Sequence, residues 1–147
     1  MTLTFVLNAL ASIDFASWIL KARQMSAASF EDIIPESVRP AVSHRHKRLL
    51  SVPAVGYAMK IPDVIKLADA GYKVLKIKIG SDPEHDGDRD KMADWDCRRL
   101  SDLHDALKAY DVKYYLDANS RYDKSERMLR TLAHVQRIGA LDRVVLL

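Results

Sequence analysis

The stretch Val74-Leu75-Lys76-Ile77-Lys78-Ile79-Gly80 sets two lysines into an otherwise aliphatic run. Side chains alternate along a β-strand, so Leu75, Ile77 and Ile79 share one face while Lys76 and Lys78 share the other. The aliphatic face must bury against helices. An ammonium in a dry interior is costly unless it is paired. Two like charges on one interior face also repel, which lowers the pKa of at least one. A lysine tuned in this way can serve as a general base near neutral pH. An edge strand with a solvated lysine face accounts for the same spacing, and spacing alone leaves both readings open.

Outward from this strand the pattern is regular. Upstream, Val52 to Ala58 reads as a short buried strand, and Pro62 and Asp63 open a helix from Asp63 to Ala70 with Gly71 just past its end. The lysine strand itself runs from Lys73 to Ile79. Downstream, Gly80 to Gly87 is a polar loop, and a long helix follows from about Asp88 to Tyr110. Lys113 to Asp117 is the next strand, Asp123 to Ile138 a further helix stopped by Gly139, and Val144 to Leu147 a fourth strand. Strict alternation of strand and helix predicts an α/β fold with a parallel sheet and right-handed crossovers. An open doubly wound sheet and a (β/α)8 barrel both begin this way.

The strand Lys113 to Asp117 adds chemistry. Tyr115, Asp117 and Asn119 alternate as the lysines do, and Asp117 sits at the C-terminal strand end, where α/β folds carry ligand and catalytic groups. An aspartate beside two lysines forms an ion pair at the least. It is also a hard oxygen ligand of the kind Mg²⁺ takes. A divalent ion beside a basic lysine could stabilise the enediolate formed when a proton α to a carboxylate is removed.

The first fifty residues are less patterned. Leu3, Val6, Leu7, Leu10, Ile13, Ile19 and Leu20 fall at helical spacing, with Asn8 and Ser12 on a polar face, which predicts an amphipathic helix ending near Lys21 to Arg23. No basic residue precedes the apolar run, and Asn8 and Asp14 interrupt it, so neither a signal peptide nor a membrane span is expected. A helix starting at Met1 with no capping segment points to material missing upstream. Residues 24–50 show no clear period. The cluster His44-Arg45-His46-Lys47-Arg48 lacks interleaved aromatics and reads as a solvated connector. With 23 basic and 20 acidic residues among 147, the net charge of +3 is too balanced to argue for nucleic acid. Cys97 is the only cysteine, which excludes an internal disulfide and suits a reducing cytoplasm.

Several motifs carry no chemistry. The run Asp82 to Gly87 imitates the start of a calcium loop, but Ala93 stands where a bidentate Glu is needed. His104 and His134 have no partners at ligand spacing, and no phosphate-binding glycine motif is present.

Together, Leu75-Lys76-Ile77-Lys78-Ile79-Gly80, Tyr115-Leu116-Asp117-Ala118-Asn119 and the leading helix around Ala9-Leu10-Ala11-Ser12-Ile13-Asp14-Phe15-Ala16-Ser17-Trp18 resemble the enolase superfamily. Within it they look like the muconate-lactonizing-enzyme and mandelate-racemase groups, nearest to dipeptide (L-Ala-D/L-Glu) epimerases. The resemblance implies an incomplete (β/α)8 TIM-type barrel, its first three to four βα units in residues 51–147. Residues 1–50 would be a linking helix and connector from an N-terminal cap domain. It implies a Mg²⁺-dependent racemase or epimerase acting on a small carboxylate such as a dipeptide or N-acyl amino acid. Lys78 would be the acid/base, Lys76 its helper on the substrate carboxylate, Asp117 the first of three carboxylate metal ligands, and Asn119 an orienting residue. Cycloisomerase, acid-sugar dehydratase and succinylbenzoate synthase chemistry share the same enediolate step.

The resemblance also implies two further carboxylates at the ends of the next two strands and an opposite lysine on the sixth. The expectation is therefore a truncated chain with little or no activity of its own. A reading of another class is a non-enzymatic half-barrel that associates with another chain, or with itself, through exposed barrel edges.

Overall fold

The computed structural model describes residues 3–42 and 44–147, without the side chains of residues 3–5. The chain divides into two compact units, Met1–Leu49 and Leu50–Leu147.

The second unit is a mixed α/β layer. Its strands are β1 (Ala54–Val55), β2 (Val74–Lys78), β3 (Lys113–Asp117) and β4 (Val144–Leu146), all parallel and ordered β1-β2-β3-β4. Helices α3 (Ile61–Asp69), α4 (Arg89–Leu107) and α5 (Ser125–Arg137) connect them. The strand order never reverses. With right-handed crossovers, each connecting helix then lands on the same face of the sheet. Burial agrees: along β2 and β3 it alternates strictly, with Leu75, Ile77, Tyr114 and Leu116 sealed against the helices. Each such aliphatic side chain contributes roughly 1.5–3 kcal/mol through burial. Lys76, Lys78, Tyr115 and Asp117 occupy the opposite, half-exposed face.

The helix boundaries have local causes. Pro62 lies in the first turn of α3, where a missing N–H costs nothing. The Asp88 carboxylate caps α4, accepting from the amides of Asp90 and Lys91 at 2.8 and 3.1 Å. Gly71 and Gly139 follow α3 and α5 at φ +88° and +74°, in the left-handed region.

The expected strand Val52 to Ala58 contracts to Ala54–Val55. Pro53 has no N–H to give to a ladder, and the chain turns at Tyr57, where the Met59 amide donates back to Gly56 O. The Pro53 carbonyl still accepts from the Lys76 amide at 2.9 Å.

The first unit contains α1 (Leu3–Gln24), a 3-10 turn Phe30–Ile33 and the short helix α2 (Arg39–Val42). Lys21 Nζ donates to Ile33 O at 3.3 Å, and the Trp18 and Phe30 rings meet at 5.8 Å. Helix α1 is not amphipathic as expected. Phe15 and Ile19 fall on the turn positions flanking Asn8 and Ser12, so apolar residues surround the helix, and Leu7, Leu10, Ile13, Phe15 and Leu20 are exposed. Among the described residues no helix is long and apolar enough to cross a membrane.

Candidate functional site

The pairing of β2 with β3 brings the candidate residues together. Lys78 lies opposite Asp117, and Lys76 opposite Tyr115. Both lysines reach the same oxygen: Lys78 Nζ is 2.6 Å and Lys76 Nζ 2.9 Å from Asp117 Oδ2. The side chains of Lys76, Lys78 and Asp117 are 30%, 25% and 16% exposed, half-shielded on the face that the helices leave open. Lys78 Nζ also donates to Asn119 Oδ1 at 2.9 Å, and Lys76 Nζ sits 4.9 Å from the centre of the Tyr115 ring. The other Asp117 oxygen accepts from the Asn119 amide at 3.0 Å, an Asx-type turn that holds Asn119 at φ +47°.

The hydrogen bond to Asp117 raises the pKa of Lys76, outweighing its partial desolvation. Reciprocally, the hydrogen bonds from Lys78 and then Lys76 hold the Asp117 carboxyl well below the usual carboxylate range. The Asn119 carboxamide oxygen accepts from Lys78 Nζ and so orients it.

A buried network fixes the backbone just after Lys78. Asp96 on α4 accepts from the Gly80 amide at 2.6 Å, the Ser81 amide at 3.4 Å and the Tyr122 hydroxyl at 2.8 Å. Tyr122 Oη lies 3.0 Å from Thr131 Oγ1 on α5. Gly80 has φ +90°, and a Cβ there would stand 2.8 Å from Arg121 Cβ. The loops after β2 and β3 are thus locked together directly beside the lysines. Asp96 and Tyr122 carry no local sequence signal, since a lone Asp on a charged helix looks solvated until the fold buries it.

The loops after β1, β2 and β3 also line a cavity of about 510 Å³ containing Tyr57, Ser81, Asp82, His85, Trp95 and Arg121. The Arg121 guanidinium lies 5.6 Å from the centre of the Tyr57 ring. The lysine cluster does not line this cavity. Position at the C-terminal strand ends is the one sequence signal that could have flagged Arg121.

His134 Nε2 is 2.8 Å from Ser101 Oγ and His104 Nδ1 is 3.3 Å from Tyr114 Oη. Lys91 engages the Glu84 and Asp86 carboxylates of the polar loop. Among the described residues no three His, Cys, Asp or Glu side chains come together as a metal site. Asp117 is the single carboxylate of its cluster, and its Oδ2 is already taken by two ammonium groups. These residues therefore do not hold Mg²⁺ by themselves.

No protein-family description, no curated protein and no solved structure matches this chain.

Proposed function

We propose that the Leu50–Leu147 unit is one wall of a (β/α)8-type barrel carrying the proton-transfer half of a racemase or epimerase site. The substrate would be a small carboxylate, such as a dipeptide or N-acyl amino acid, in a reducing cytoplasmic setting. In its neutral amine form, with its own proton first released to solvent, Lys78 Nζ removes the proton α to the carboxylate and becomes an ammonium. The C–H electron pair moves into the carboxylate to form an enediolate, and Lys76 donates a hydrogen bond to one of its oxygens. Asp117 and Asn119 position Lys78 from two sides.

The observation that carries this reading is the convergence of both lysines on Asp117 Oδ2, at the C-terminal ends of adjacent parallel strands and on the face without helices. The unreversed strand order supports a barrel wall over a doubly wound sheet, which places helices on both faces. In the complete site Asp117 would be one of three carboxylates around Mg²⁺. The described residues supply only that one.

The test is a ¹³Cε-lysine NMR titration of the chain with L-Ala-L-Glu. Shifts of the Lys76 and Lys78 signals, lost in Lys76→Met, are expected. Unmoved lysine signals at millimolar dipeptide would sink the proposal.

A further inference from the structure

The cavity of about 510 Å³ formed by the loops after β1, β2 and β3 has a chemistry that the proton-transfer site does not use. Its volume falls within the roughly 300–1,000 Å³ of small-molecule sites. Neither the lysine cluster nor β4 contributes to its wall. Two aromatic rings line it, and both are held in place from elsewhere in the fold. Tyr57 Oη donates to Ile79 O at 3.2 Å. The Trp95 ring has the Arg99 guanidinium 5.6 Å from its centre, and Arg99 also donates to Gly56 O and Met59 O at 3.1 and 2.6 Å. Rings fixed in this way cost little ordering entropy when a ligand packs on them.

The polar groups of the wall lack the partners such groups usually have. Ser81 is 6% exposed, yet its hydroxyl makes no hydrogen bond among the described residues. A hydroxyl so shielded normally has one. The Arg121 guanidinium makes no ion pair among the described residues, and its one hydrogen bond, to Gly80 O, is long at 3.4 Å. Both groups donate, and a carboxylate is the acceptor that suits them together. Asp82 stands on the same wall with the opposite charge. One of its oxygens accepts from the Gly87 amide at 3.1 Å, and no cation pairs with it among the described residues. A simple anion would meet repulsion from Asp82 and a simple cation repulsion from Arg121, whereas a zwitterion satisfies both.

We infer that this cavity binds an aromatic α-amino acid, its carboxylate on Arg121 and Ser81, its ammonium on Asp82 and its ring against Tyr57 and Trp95. A ¹H–¹⁵N NMR titration of the full chain with L-phenylalanine tests this. Saturable shifts at millimolar concentration are expected for the Ser81 and Asp82 amides and the Trp95 indole. Arg121→Met and Asp82→Asn should each weaken binding by about tenfold or more, and Ser81→Ala by less. 3-Phenylpropanoate, which lacks the ammonium, and L-alanine, which lacks the ring, should both bind more weakly than L-phenylalanine. This ligand series uses the wild-type chain, so it decides the matter even where a substitution disturbs the loops. Absent shifts, shifts confined to the lysine strand, or equal affinity for either truncated ligand would overturn the inference.

Discussion

Asp96 Oδ2 lies 2.6 Å from the amide nitrogen of Gly80, so a carboxylate buried on α4 holds the chain two residues beyond Lys78. The position of the lysine cluster therefore depends on a residue that does not touch it.

Removing that acceptor should be costly. Asp96→Ala leaves the buried Gly80 amide without its acceptor, at about 1–3 kcal/mol, and leaves the Tyr122 hydroxyl only its Thr131 neighbour. Denaturant unfolding measures the loss, and a change below about 0.5 kcal/mol would contradict the network.

Asp96 also predicts a pH dependence. Burial raises its pKa above the ordinary 3.8, despite the hydrogen bonds it accepts. The folded state then binds more protons than the unfolded one, so this group's contribution to stability falls as pH rises from the ordinary value through the raised one. Asp96→Asn lacks that slope. Its stability relative to wild type should climb with pH across this window and then level off, as followed by urea unfolding at a series of pH values.

Asp117 has the opposite sign. Its pKa is held below the ordinary 3.8 by Lys78 and Lys76, so its stabilising contribution is present above that value and fades as pH falls through the folded one. The deficit of Asp117→Asn should be full at neutral pH and shrink below about pH 4. In the same variant the Lys76 pKa should drop from its raised value, visible in the ¹³Cε titration.

Gly80→Ala combines a positive φ with a Cβ placed 2.8 Å from Arg121 Cβ and 3.3 Å from Ala118 O. The expected cost is about 1–3 kcal/mol. Gly87→Ala, also at positive φ but in open space, should cost less, and thermal melts of the two compare them directly.

Much of the second unit was legible in the sequence because its signals are local. Period-2 alternation in Val74–Lys78 and Lys113–Asp117, Pro62 at a helix start and Gly139 at a helix end each act within a few residues. Alternation also put Lys76, Lys78 and Asp117 on one face. The sign of the Lys76 shift was not legible, since it depends on which of Lys78 and Asp117 comes closer, and that is decided by strand register. Asp96 and Tyr122 stayed hidden because their burial arises from packing between α4 and the loops after β2 and β3. Helix α1 misled because Ile19 was counted toward the apolar face and Phe15 left out, although both fall beside Asn8 and Ser12.

The central claim is that Lys78 takes the proton α to a carboxylate. Proton NMR of L-Ala-L-Glu in D₂O, with and without Mg²⁺, measures exchange at the Cα positions directly. Faster exchange with the wild-type chain than with Lys78→Met is predicted, and equal rates for the two proteins would contradict it.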